Sequence, residues 1–162
     1  MKWEFQLALQ RRMVTDPRIH LLMGDVGGVM FKEARASFPY RILNVGICEQ
    51  ATVSMAAGMA IEGLRPIVYT ITPFLIERAF EQVKLDVHEM NLPVGLVGHS
   101  DNSCGPTHIE RSAPALLALL PRVTAYFPKT PAEVTAIMEK VDLDRPWFLK
   151  LGETPKGNPL LR

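Results

Sequence analysis

Only two cysteines, Cys48 and Cys104, occur in the 162 residues. That excludes a disulfide-stapled scaffold and points to reduced thiols in a cytoplasmic protein. No apolar run reaches the ~18 residues of a membrane span, and Met1–Arg12 has neither the apolar stretch nor the small-residue cleavage site of a secretion signal. An excess of one charge is missing too: 18 Lys and Arg against 17 Asp and Glu leave a net charge of +1. Proteins that grip nucleic acid or acidic membrane normally carry a strongly basic balance, so neither is expected as a partner. The phosphate loop G-x-x-x-x-G-K-[ST], a G-x-G-x-x-G turn after the first strand and the G-x-S-x-G nucleophile elbow are all absent. Histidines at 20, 88, 99 and 108 lack metal-ligand spacing, and the two cysteines lie too far apart in sequence for a zinc knuckle. No metal ligand set is expected on this chain.

What is present is a 48% hydrophobic composition, enough for one domain with a real core. Thirteen prolines fall mostly singly between apolar runs and read as punctuation. Strands are expected at Ile19–Met23, Ile67–Ile71, Pro93–Val97, Val123–Phe127 and Trp147–Leu151, where short apolar or β-branched runs occur. Helices are expected at 49–62, ending at Gly63, at 73–91, at 110–120 and at 131–141. Thr130-Pro131-Ala132-Glu133 has a cap residue, a proline at the first helical position and a glutamate at the third. Alternating strands and helices imply an α/β three-layer sandwich around a mostly parallel open sheet. Residues 1–18 read as an N-terminal helical segment, 19–151 as the domain, and 152–162 as a tail with two Pro and two Gly. Ligands in such folds gather at the carboxyl ends of the strands. Here those ends are Gly24–Gly28, Thr70–Phe74, a polar loop from His99 to His108, and Phe127–Thr130, with Asn44–Gln50 at the same edge.

Three consecutive runs narrow the field. Asn44-Val45-Gly46-Ile47-Cys48-Glu49-Gln50, then Met55–Gly63, then Arg65–Thr70 closely resemble the pyrimidine-binding (Pyr) domain of the transketolase family. That family includes transketolase, deoxyxylulose-phosphate synthase and the β-subunits of 2-oxo-acid dehydrogenase E1 components. Phe74–Gln82, Gly105-Pro106-Thr107-His108, and Leu117–Pro121 with Phe127–Glu133 follow in the family's order, so the likeness spans roughly residues 19–150.

The resemblance implies thiamine diphosphate held in a cleft shared with a diphosphate-binding (PP) domain. Glu49 matches the glutamate that hydrogen-bonds ring nitrogen N1′ and so activates C2 of the cofactor; Gly46 and Ile47 accompany it in the motif as cofactor-binding residues. Taken alone, Glu49 would read as an acidic residue favoured by the helix dipole. Phe74 resembles the aromatic that stacks on the aminopyrimidine, with a core phenylalanine as the competing reading. His108 matches the histidine that faces substrate and moves protons. Arg78 either contacts substrate or pairs with a carboxylate. Asp25 resembles an acidic residue near the cofactor across the subunit contact, and reads equally as a turn residue. An acidic sugar-recognition residue often found in the family is replaced by Cys104, leaving His99 or Asp101 to serve substrate binding in its place.

The family's Gly-Asp-Gly…Asn motif for Mg²⁺ and diphosphate is also lacking. The resemblance therefore implies a PP subunit on a separate polypeptide that binds Mg²⁺, an α2β2 heterotetramer, and transfer of a two-carbon ketol unit between sugar-like substrates. A 2-oxo-acid decarboxylating and carboligating enzyme, or a non-catalytic interaction module with the Pyr fold, are the alternatives.

Overall fold

A computed structural model describes residues 1–100 and 105–152; Asp101, Cys104 and residues 153–162 of the tail lie outside the described residues. Six strands form one sheet in the order β2-β1-β3-β4-β6-β5. They are β1 (Ile19–Met23), β2 (Ile42–Asn44), β3 (Arg65–Ile71), β4 (Gly95–His99), β5 (Thr124–Tyr126) and β6 (Trp147–Leu151). Every neighbouring pair is parallel, so helices must carry the chain back each time. The expected α/β sandwich is thus observed. The strand between 42 and 44 was not anticipated, because three residues with an exposed Asn44 carry too little periodicity to register.

Parallel strands are covered on both faces, and the side chains divide accordingly. On one face Ile67 and Tyr69 of β3 and Trp147, Leu149 and Leu151 of β6 pack with Phe5, Leu9 and Met13 of α1 (Lys2–Thr15) and with Val134 and Met138 of α6 (Pro131–Lys140). On the other face Val68 and Phe148 meet Val53, Ala56 and Ala60 of α3 (Glu49–Ile61), then Leu75, Ile76, Val83 and Val87, then Leu117 of α5 (Ala113–Ala118). Helix α2 (Lys32–Ser37), also absent from the sequence expectation, buries only Ala34. Gly95 is required by this packing: a Cβ there would run into the Trp147 indole ring.

Local signals place the ends of the helices. Gly63, at φ +87°, closes α3 with Leu64 N–H donating to Met59 O (3.1 Å) and Gly63 N–H to Ala60 O (3.1 Å), the paired bonds of a Schellman motif. Thr130 Oγ1 accepts from Glu133 N–H at 3.2 Å, and the Glu133 carboxylate accepts from Lys129 N–H at 2.8 Å, capping α6 as expected. The helix expected over 73–91 is broken. It is π-wound over Phe74–Arg78, makes one α-turn at Phe80–Gln82 (α4), and is π-wound again over Val83–Glu89. The buried stripe Leu75, Ile76, Ala79, Val83 and Val87 survives. Apolar spacing fixes which side chains face the core but not whether each N–H reaches back four or five residues. Strand β4 runs two residues later than expected and takes in His99, which the sequence pattern assigns to the loop.

Candidate active site

The chain leaves β1 for β2 on one side and returns as β3 on the other. The connections that follow β1 and β3 pack on opposite faces of the sheet, Phe31 and Ala34 on one and Leu75 and Ile76 on the other, and doubly wound sheets bind ligands in the crevice at such a point. Gly24 lies at that point, and a Cβ there would approach Thr70 Oγ1 to 3.2 Å. Asn44, at the end of β2, ties the edge together. Its Oδ1 accepts from Asp25 N–H (3.1 Å) and Gly46 N–H (3.1 Å), and its Nδ2 donates to Asp25 Oδ1 (2.8 Å). Asp25 takes φ +56°, a left-handed turn that Asp tolerates. Asp25 thus stands in a turn at this edge, with one carboxylate oxygen engaged by Asn44.

This clamp sets the turn 45–48, and α3 begins at Glu49. Glu49 is 5% exposed, and its Oε1 is buried without a hydrogen-bond donor. Such orphaned oxygens are uncommon and call for an explanation. The nearest cation is Arg78, whose Nη1 stands 3.6 Å from Glu49 Oε1. The same guanidinium lies over the Phe74 ring, its Cζ 3.6 Å from the centroid. His108 packs edge-on against that ring, with centroids 4.7 Å apart and planes at 70°. Glu49, Arg78, Phe74 and His108 were singled out from three separate stretches of sequence, and folding brings them into one constellation. Ile47 and Gly46 sit in the turn leading to it: Gly46 has φ +85° and Ile47 projects into solvent, 74% exposed.

Residues with no forecast role hold His108 in place. Gly105, at φ +96°, starts a single 3₁₀ turn over Pro106–His108, and His108 N–H donates to Gly105 O at 3.1 Å. Beyond the turn, Ser112 Oγ donates to Glu77 Oε1 at 2.5 Å. Glu110 pairs with Lys150 on β6 and accepts from Ala113 N–H at 2.6 Å. Burial works to raise the Glu110 pKa, but Lys150 and the backbone donors outweigh it and hold the carboxyl below its usual range. Nothing in local sequence marks these straps, because their partners lie 35 and 40 residues apart. Asn44 was legible only as a member of the motif.

His99 goes elsewhere. It ends β4, stacks on Tyr69 (5.1 Å, 29°) and offers Nδ1 to Ser100 O at 3.3 Å. With Tyr69, Lys2, Gly27 and Gly28 it lines a cleft of about 400 Å³ whose walls include none of Glu49, Phe74, Arg78 or His108. Burial pushes the Tyr69 hydroxyl well above its usual pKa. Among the described residues no group of three His, Cys, Asp or Glu side chains could hold a metal ion, and no helix is long and apolar enough to cross a membrane.

With fold and geometry in hand, comparison with known proteins gives one answer. The profile of the family described as "Transketolase, pyrimidine binding domain" matches residues 2–151. The chain belongs to that family, and its α/β sheet is the transketolase Pyr-domain fold. An uncharacterized 33.6 kDa protein in the fasciation locus of Rhodococcoides fascians is 30% identical over 160 residues, covering 96% of this chain and 51% of that protein. A probable 1-deoxy-D-xylulose-5-phosphate synthase 2 of Oryza sativa subsp. japonica is 36% identical over 167 residues, covering 95% of this chain and 22% of that protein. Among solved structures, a split-gene transketolase described as an inactive β4 tetramer superposes with a TM-score of 0.83 at 27% identity, over 93% of this chain and 50% of that one. The chain thus spans about half the length of the first of these relatives and about a fifth of the synthase.

Proposed function

We propose that this chain is the pyrimidine-binding part of a thiamine-diphosphate enzyme assembled from two kinds of polypeptide, catalysing transfer of a two-carbon ketol unit between sugar-like substrates. The observation that carries the reading is Glu49 Oε1, a buried carboxylate oxygen with no donor, faced by a guanidinium that also lies over the Phe74 ring. Those residues fit an aminopyrimidine: the ring offers a flat apolar contact, and Oε1 offers the acceptor that N1′–H needs.

When bound, the cofactor supplies the carbon nucleophile that attacks a substrate carbonyl. Glu49 would hold a proton between its Oε1 and the ring nitrogen N1′ of the bound cofactor. Phe74 orients the ring. His108, held by the straps through Glu110 and Ser112, donates or accepts a proton at the substrate oxygen as carbonyl becomes hydroxyl. Exposed Ile47 and the turn at Gly46 are covered by the bound cofactor and the partner. Mg²⁺ and the diphosphate tail fall to the partner's PP domain, in an α2β2 assembly; the neighbour's split gene and its inactive β-only tetramer support a chain that needs a second one. The free Cys48 thiol beside the site suits a reducing, cytoplasmic setting.

Kinship with the synthases favours a second reading, decarboxylation of a 2-oxo acid followed by carboligation. Mixing the chain with its PP partner, thiamine diphosphate and Mg²⁺ and supplying either a ketose phosphate or pyruvate separates the two. Ketose consumption without CO₂ release supports ketol transfer, and CO₂ release from pyruvate supports the alternative. No turnover of either substrate and no cofactor binding, with the partner bound, would favour the non-catalytic module.

A further inference from the structure

One guanidinium touches both groups that the pyrimidine would need. Arg78 Nη1 is 3.6 Å from Glu49 Oε1, and Arg78 Cζ is 3.6 Å above the Phe74 centroid. A guanidinium is a planar, delocalised cation that stacks on aromatic faces and points N–H groups at carboxylates. An aminopyrimidine protonated at N1′ is also a planar cation with a ring-plane N–H. At 3.6 Å the guanidinium is in contact with the ring face, so no second planar group can share that face. We propose that Arg78 is a stand-in: in the unliganded chain it occupies the aminopyrimidine seat, and it swings out when the cofactor enters. The proposal rests on the cofactor reading of Glu49 and Phe74 and adds a competition to it.

Three features make the exchange feasible. The Arg78 side chain is 40% exposed, so its head can move into water without crossing the core. Its distance to Glu49 is that of an ion pair rather than a hydrogen bond, and Glu49 Oε1 still lacks a donor. A bound N1′–H would give that oxygen what Arg78 does not. The backbone carrying Arg78 is also the π-wound turn Phe74–Arg78, a departure from α geometry that recurs at functional positions. The stand-in keeps the buried carboxylate near a cation while the seat is empty, at the expense of apparent cofactor affinity, because only the fraction of molecules with Arg78 displaced can bind.

The test uses the intact chain and 4-amino-5-hydroxymethyl-2-methylpyrimidine, a probe that carries the ring without the diphosphate. Calorimetry would compare wild type, Arg78→Ala, Arg78→Lys and Glu49→Gln, while NMR follows the Arg78 side-chain protons. Stacking on Phe74 should shift those protons upfield in the free chain, and the shift should vanish as the probe saturates. Arg78→Ala should bind about tenfold tighter than wild type, Arg78→Lys should fall between them, and Glu49→Gln should bind at least tenfold more weakly. Binding that weakens in Glu49→Gln but is unchanged or weaker in Arg78→Ala overturns the stand-in and keeps the seat. An upfield shift that persists at saturation does the same without relying on any variant. Binding that ignores Glu49→Gln, or no binding to any form, overturns the seat itself and the stand-in with it.

Discussion

Two histidines at the carboxyl edge of the sheet are each packed on an aromatic ring, yet they end in different surroundings. His99 lies nearly flat on Tyr69, which lies flat on Phe5 (5.7 Å, 6°) and edge-on to Phe31 (5.2 Å, 79°). Tyr69, Phe5 and Phe31 are at most 1% exposed, so that corner is an extension of the core. His108 meets a ring covered by the Arg78 guanidinium, which in turn faces a buried carboxylate whose Oε1 has no hydrogen-bond donor. The first corner has its rings paired off within the protein. The second keeps polar capacity unspent, as buried groups rarely do without a ligand to come. A histidine beside an aromatic therefore says little by itself; what the rest of the cluster leaves unsatisfied separates a packing residue from a reactive one.

Perturbing each corner should give opposite signatures. The largest effect is expected from Glu49→Gln, which should lower turnover of the reconstituted enzyme by about 10²- to 10⁴-fold with a thermal midpoint at or above wild type, measured by steady-state assay and calorimetric melting. Tyr69→Ala should do the reverse, costing about 3–5 kcal/mol of folding stability in denaturant titration while leaving the seat's chemistry in the folded fraction.

Glu110→Gln, which loosens the strap behind His108, should cost about 1.5–3 kcal/mol. The Glu110 carboxyl is held below its unfolded value, on balance by Lys150 and backbone donors against the opposing effect of burial. Its contribution is therefore complete above the unfolded carboxylate pKa, about 4.3, and fades as pH falls through the folded one. Melts from pH 7 downward should show the gap between wild type and variant closing only in that acidic window. The smallest effect belongs to a site remote from both corners: Thr130→Ala removes the cap of α6 and should cost about 1 kcal/mol with no change in turnover.

Legibility followed the range of the signal. The Thr130 cap, the Gly63 terminator and five of the strands were readable because their causes lie within a few residues. Glu49, Phe74, Arg78 and His108 were readable because they stand in dense motifs. The convergence of Arg78 on Glu49 and Phe74 was not, since it depends on the packing of α3 beside a π-wound turn. His99 looks like loop in the sequence because the glycine before it and the polar residues after it hide the last residues of β4. Asn44 and the Glu110–Lys150 strap pair across distant segments, and no local pattern announces such partners.

The most direct measurement is a cycle between Glu49 and the ring nitrogen it is held to serve. Wild type and Glu49→Gln, each assembled with the PP chain, would be assayed with thiamine diphosphate and with an analogue carrying carbon in place of N1′. The expected result is that wild type loses at least a hundredfold in turnover with the analogue, whereas Glu49→Gln works almost equally poorly with both. The same penalty for the analogue in both proteins would mean that the carboxylate and the nitrogen do not meet.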